Sequence, residues 1–153
     1  MSIEKKVAQL IDTLPLAEKV GQLFLLAFAG KDYDYAKTLV KQFHVGGFYI
    51  TDDNAANQKE ATNMAAMLQQ EAALRACDVP LLLAVDQEGA WGILTHYTDL
   101  GPGNLALGQV NDRSLTADMY QVYGEQMQHI GYNTLLSPCA DVNANPNNPI
   151  IGL

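Results

Sequence analysis

Three sets of polar residues in this chain follow apolar runs, and their side chains suit acid–base and hydrogen-bonding chemistry. Asp86, Gln87 and Glu88 follow LLLAV (81–85); Asp141, Asn143 and Asn145 follow NTLLSPCA (133–140); Thr51, Asp52 and Asp53 follow VGGFYI (45–50). The sharpest cluster is Asp86-Gln87-Glu88-Gly89. An aspartate abutting LLLAV cannot face a dry core, because burying an unpaired charge is costly. Either it looks into a polar cleft or it caps a loop or helix. Asp141 carries the same two readings, with Asn143, Asn145, Asn147 and Asn148 close behind it. Paired carboxylates with amide and hydroxyl neighbours suit sugar recognition and glycoside hydrolysis, in which one acid protonates a leaving oxygen while another carboxylate attacks or activates water.

Other chemistries lack their residues. Val45-Gly46-Gly47 has no following Lys-Ser/Thr for a phosphate loop, Gly101-Pro102-Gly103 has no preceding strand, and a GxGxxG fingerprint is absent. GYNTLLS holds no nucleophile elbow, so Ser137 reads as a strand residue. No Cys/His cluster has metal-ligand spacing. Cys77 and Cys139, the only cysteines, make no disulfide framework and read as small buried apolar groups. His44 and His129 sit beside helix ends, where a cation favours the dipole, and His96 lies in a polar loop as the open one of the three. Trp91, in the same loop, either stacks on a sugar face or anchors the loop.

The elements that must position these groups alternate. An amphipathic helix over residues 1–13 is followed by a second opened by Pro15 (PLAEKVGQ), then by LFLLAFAG (23–30), an unbroken apolar run of the kind covered on both faces in parallel sheets. Residues 33–43 read as a helix with Tyr35, Leu39 and Val40 on one face, and VGGFYIT (45–51) as a strand. Asp53 or Asn54 is the expected cap of a long helix through Cys77, with a core stripe of Ala61, Met64, Leu68 and Ala72. Met64 and Met67 read as packing. Val79-Pro80 stops that helix, LLLAVD (81–86) is the third strand, and a Gly-rich loop covers 87–104. Ser114 is the expected cap of a further helix whose Leu115, Met119, Val122, Met127 and Ile130 face the core, and NTLLSPCADV is the fourth strand. Strand–helix alternation implies parallel strands with right-handed crossovers. Two α/β architectures accept it: a small open doubly wound sheet, or about half of a (β/α)8 barrel, which when complete needs roughly 250 residues. In both, ligands gather at the carboxyl ends of the strands.

Composition bounds the partners. The 153 residues are 48% hydrophobic and 17% charged, with net charge −8 and Arg75 and Arg113 as the only arginines. A nucleic-acid partner would want a basic face. No apolar run approaches the roughly 20 residues of a membrane span, and residues 1–13 lack the apolar core of a signal peptide, so a cytoplasmic location is the expectation.

The ordered set LAEKVGQLF, VGGFYI, PLLLAVDQEG, GPGNLALG and IGYNTLLSPCADVNANPNNPIIG resembles the N-terminal barrel domain of glycoside hydrolase family 3. Its DVN-NP-NP-IG pattern is most similar to the bacterial β-N-acetylglucosaminidase branch. The resemblance runs in register over nearly the whole chain. It implies a retaining exo-β-glycosidase, β-N-acetylhexosaminidase-like, on a (β/α)8 barrel with no metal cofactor, with residues 1–153 as the N-terminal part of the barrel domain. It implies that Asp86 hydrogen-bonds hydroxyls of a terminal N-acetylglucosamine-like sugar, and that Asp141 and the Asn-rich loop shape the pocket. Substrate-binding candidates are therefore Asp86, Glu88, Asp141 and Asn143.

Three departures qualify the resemblance. The family continues past IIG with an arginine-bearing segment, whereas this sequence stops at Leu153. Its Lys-His motif, acid/base loop and nucleophilic aspartate lie further on, so no catalytic residue is assigned here. It follows DQEGG with arginines, where this chain reads DQEGAWGILTHY. The expectation is about four β/α units of a truncated member, inactive alone, whose exposed edge strands need the missing half of the barrel or a second copy in a homodimer. The alternative is a non-catalytic sugar-binding or regulatory half-barrel.

Overall fold

The computed structural model describes residues 2–77, 79–90, 92, 94, 98–145 and 147–149. Helices α1 (Ile3–Thr13) and α2 (Leu16–Gly21) lead to strand β1 (Leu25–Leu26), helix α3 (Tyr33–Phe43), strand β2 (Gly47–Tyr49), a 3-10 turn (Asp52–Asn54) and helix α4 (Gln58–Ala73). Strand β3 (Leu82–Val85), helices α5 (Asn104–Val110) and α6 (Arg113–Ile130) and strand β4 (Thr134–Leu135) complete the order.

The sheet runs β1-β2-β3-β4 with every neighbour parallel. Register separates its two faces, because successive side chains leave a strand on opposite sides. Gly47 pairs with Leu82, Tyr49 with Ala84 and Ala84 with Thr134, so one face carries Leu25, Tyr49, Leu82, Ala84, Thr134 and Leu136. The other carries Leu26, Phe28, Phe48, Ile50, Leu83, Val85 and Leu135. That second face is the core: Phe48, Ile50, Leu83 and Val85 are fully buried with Leu39 and Val40 of α3, Met64 and Leu68 of α4 and Met127 and Ile130 of α6. Phe28 meets Phe48 edge-on at 5.4 Å between ring centroids.

Among the described residues no helical layer covers the first face. Leu82 is 51% exposed, Leu136 42% and Leu25 37%; Gly47 and Ala84, too small to protrude, are buried there. Strands in sequential order with the covering helices on one side describe the arc of a barrel. A doubly wound sheet reverses its strand order and carries helices on both faces. The fold is therefore an arc of four parallel strands from a barrel-type α/β domain, not closed upon itself. The expectation that residues 23–30 form a strand covered on both faces is corrected. Only Leu25–Leu26 is strand, Leu23 is 83% exposed, and the N–H groups of Leu23 and Phe24 donate to Val20 and Gly21 as a continuation of the helix end. An apolar run signals burial on both faces only when the opposite arc of the barrel is there to supply the second.

Helix boundaries shifted by local capping. Asn57, not Asp53 or Asn54, caps α4 by accepting the Glu60 N–H, and the helix ends at Ala73 rather than at Cys77. Its expected stripe of Ala61, Met64, Leu68 and Ala72 is buried. Asp112, not Ser114, caps α6, accepting from Ser114 and Leu115. The buried face of α6 is Tyr123, Met127 and Ile130, whereas Leu115 and Val122 are exposed. In α3, Ala36 joins Leu39 and Val40 on the buried stripe, and Tyr35 faces outward. Asn104–Val110, at and beyond the end of the expected loop, is a helix. Cys77 is buried as expected and Cys139 is half-exposed.

Candidate active-site face at the strand carboxyl ends

The polar residues at the carboxyl ends of β2 and β3 meet on the uncovered face. Tyr49 is the last residue of β2 and Asp86 follows β3 directly. The Tyr49 hydroxyl donates to Oδ2 of Asp86 at 2.7 Å, and both side chains are half-buried. This contact requires both to leave the sheet on the face that bears Leu25, Leu82 and Leu136. Burial first, then hydrogen bonding to Asp86 and the negative charge there, push the Tyr49 phenol up to about 12. It stays protonated, and stays a donor to Asp86, throughout the neutral range.

The next residue turns the other way. Gln87 is buried, forms an isolated antiparallel bridge with Gly92, and leaves its Oε1 without a hydrogen-bond partner among the described residues. Glu88 follows, half-buried. Gly89 then has φ +84°, and a Cβ there would stand 2.2 Å from the carbonyl oxygen of Pro102. Tyr123 of α6 donates to that same carbonyl at 2.9 Å. Burial, with Tyr120 beside it, raises the Tyr123 phenol above its usual value, so it too remains a donor at neutral pH. The loop after β3 is thus pinned from beneath by α6. Trp91 and His96, the candidate sugar-stacking and open residues, lie outside the described residues.

A second polar centre braces the carboxyl end of β2. Asn54 is fully buried; its amide donates to the carbonyls of Phe28 at 3.0 Å and Gly30 at 2.7 Å, and its Oδ1 accepts the Thr51 N–H at 2.8 Å. Asp53 accepts a hydrogen bond from the Thr51 hydroxyl and another from the Gly30 N–H at 2.8 Å, which in that order hold its carboxyl below the ordinary carboxylate value. Thr51, Asp53 and Asn54 therefore clamp the segment after β1 to the segment after β2.

After β4 the chain runs on without regular secondary structure. Leu136 N–H donates to the Val85 carbonyl at 3.0 Å, which carries the β3–β4 pairing as far as Asp86. Asp141 and Asn143 are exposed, and the Cys139 thiol donates to Asp141 Oδ2 at 3.4 Å. Of the four candidate ligand-binding residues, Asp86 and Glu88 share one loop, and Asp141 and Asn143 share the neighbouring one. No hydrogen bond joins the two pairs among the described residues. Sequence reading passed over Tyr49, although strict alternation in VGGFYIT separates it from Phe48 and Ile50.

Among the described residues no group of three His, Cys, Asp or Glu side chains is placed to hold a metal, and no helix is long and apolar enough to cross a membrane. A cavity of about 800 Å³ lies elsewhere, lined by Leu16, Val20, Phe24, Leu39 and Phe43. It sits where α2 and α3 end and the strands begin. In this architecture that end serves stability.

An arc of four parallel strands, with Asp86 held by Tyr49 at the strand carboxyl ends, defines the class of a partial (β/α) barrel domain. Residues 15–153 match the family model for the glycosyl hydrolase family 3 N terminal domain, and the chain belongs to that family. Beta-hexosaminidase A of Pseudoalteromonas piscicida is 28% identical over 75% of this chain and 20% of its own length. A beta-N-acetylglucosaminidase/beta-glucosidase of Cellulomonas fimi is 31% identical over 87% of this chain and 22% of its own. The solved structure of a glycoside hydrolase family 3 beta-N-acetylglucosaminidase from Paenibacillus sp. str. FPU-7 superposes with TM-score 0.82 at 37% identity, covering 91% of this chain and 27% of that one. The chain spans about a fifth to a third of the length of the curated relatives it matches.

Proposed function

We propose that this chain forms the sugar-facing first part of a retaining exo-β-glycosidase pocket of β-N-acetylhexosaminidase type, acting on O-glycosyl bonds. In this reading Asp86 accepts hydrogen bonds from hydroxyls of a terminal N-acetylglucosamine-like sugar, while Glu88, Asp141 and Asn143 line the same rim. The observation that carries it is Asp86 itself: a half-buried carboxylate at the carboxyl end of β3, on the face that no helix covers, held by Tyr49. The family and its β-N-acetylglucosaminidase relatives support the choice of sugar. The segments that the family resemblance gives the nucleophile and acid/base are not in these 153 residues, so the chain alone turns over no glycoside. Pure 153-residue protein should release no chromophore from an aryl N-acetylglucosaminide; sustained release that Asp86→Ala abolishes would refute that part of the reading.

The exposed apolar face calls for a partner, either the remaining part of the barrel or a second copy that closes a two-fold pseudo-barrel. A second functional reading, a non-catalytic sugar-binding half-barrel, is favoured by the sequence after Gly89, where Ala90 stands and no arginine follows before Arg113. Sugar binding by the 153-residue chain in its assembled form separates this reading from an inert half, which would show none.

A further inference from the structure

We propose that Tyr49 is a positioning residue that turns Asp86 into half of an all-acceptor pair, selecting neutral, hydroxyl-bearing sugar edges against anionic or hydroxyl-capped ones. The inference rests on the sugar reading of this face and adds to it a residue and a specificity. A phenol has one proton, and that of Tyr49 is committed to Oδ2 of Asp86 at 2.7 Å. What Tyr49 offers a ligand is then a lone pair on its oxygen. The carboxylate likewise has only lone pairs to offer: Oδ1 in full, and the remaining position on Oδ2. Neither group has a proton to give. A ligand edge meeting this pair must therefore donate, as ring hydroxyls do.

A carboxylate, phosphate or sulfate in the same place would bring acceptors to acceptors and a second negative charge beside the first. An O-methylated sugar would bring no proton at all and leave the pair unsatisfied. The hydrogen bond also fixes orientation. Asp86 stands just beyond the last residue of β3, where its carboxyl group is otherwise free to rotate. One charge-assisted bond to a side chain anchored in the adjacent strand fixes which oxygen faces the open side. The paired positions Tyr49 and Ala84 set the distance, because the small Ala84 leaves the ring room to reach along the sheet to residue 86.

The test is an NMR titration of the 153-residue chain with methyl β-N-acetylglucosaminide and, separately, methyl β-glucuronide, alongside Tyr49→Phe and Asp86→Asn. The unaltered chain should bind the neutral sugar and reject the glucuronide. Tyr49→Phe should keep the circular dichroism of the fold while weakening the neutral sugar about tenfold, the loss expected for one hydrogen bond to a charged group. Asp86→Asn converts an acceptor into a donor and removes the charge. It should narrow the discrimination against the glucuronide and lower the Tyr49 ionisation, read by absorbance at 295 nm, from about 12. No binding by the unaltered chain would overturn the sugar reading, and the inference with it. Binding that Tyr49→Phe leaves untouched would overturn the inference alone. Should Tyr49→Phe fail to fold, Asp86→Asn decides: relaxed discrimination with a lowered phenol ionisation supports the pair, and no change in either overturns it.

Discussion

Tyr49 links the chemistry of the rim to the stability of the sheet through a single proton. Its phenol is protonated in the folded chain up to about pH 12, chiefly because it is half-buried and then because Asp86 accepts its proton. An unfolded tyrosine ionises near pH 10. The folded-state value is the higher one, so the stabilisation is fully present below pH ~10 and is lost as pH rises from there through about 12. Urea unfolding followed between pH 9 and 12 should show the midpoint falling across that window, and Tyr49→Phe should remove the part of the slope that belongs to this group. An unchanged slope in the variant would mean that the phenol meets the same surroundings folded and unfolded. Asp86→Asn should have an intermediate slope, because burial, the larger cause, remains when the charge is gone.

At the scale of elements, short polar brackets do work that strand length does not. The four strands have two to four residues each, yet Asn54 ties three backbone groups from two segments in a fully buried position. Asn54→Ala leaves two carbonyls and one N–H without that partner and should cost about 3 kcal/mol in chemical denaturation, an unmade buried hydrogen bond being costlier than a made one is favourable. A loss under about 0.5 kcal/mol would show water replacing the amide at little cost. Gly89→Ala acts differently: φ is +84° and the added carbon meets the Pro102 carbonyl. The loop after β3 must move, so sugar binding should fall more than stability does, and equal losses in both would contradict that. The strand–helix alternation was legible because core stripes such as Ala61, Met64, Leu68 and Ala72 repeat at helical spacing. Caps were less legible, since Asp53, Asn54 and Asn57 are all competent and only tertiary contacts with Phe28 and Gly30 assign Asn54 to the bracket. Asp86 stood out as a charge against an apolar run. Tyr49 did not, because an aromatic residue in a strand is ordinary until register shows which face it takes.

The whole molecule is decided by the difference between its two sheet faces. One face buries Phe48, Ile50, Leu83 and Val85 completely, while the other presents Leu82, Leu136 and Leu25 to solvent. Sequence could not distinguish them, because both faces are apolar and the distinction lies in whether an opposite arc covers the inner one. Exposed leucines on one sheet face suit an interface, and among the described residues β1 and β4 are the edge strands of the arc. Leu82 lies at the amino-terminal end of β3, away from Tyr49 and Asp86, with its side chain packed over Gly47 of the neighbouring strand. A charge there tests the interface without touching the rim. The expected outcome is that the unaltered chain sediments as a dimer or larger species at micromolar concentration, and that Leu82→Arg shifts it to monomer with little change in helical circular dichroism. Burial of a half-exposed leucine contributes about 1–2 kcal/mol, and two copies lose it together, so the dissociation constant should rise at least tenfold. A monomeric unaltered chain of full helical content would show that four strands and one covered face suffice. Closure by a second copy would then be excluded, leaving the remaining barrel segments as the only cover for the inner face.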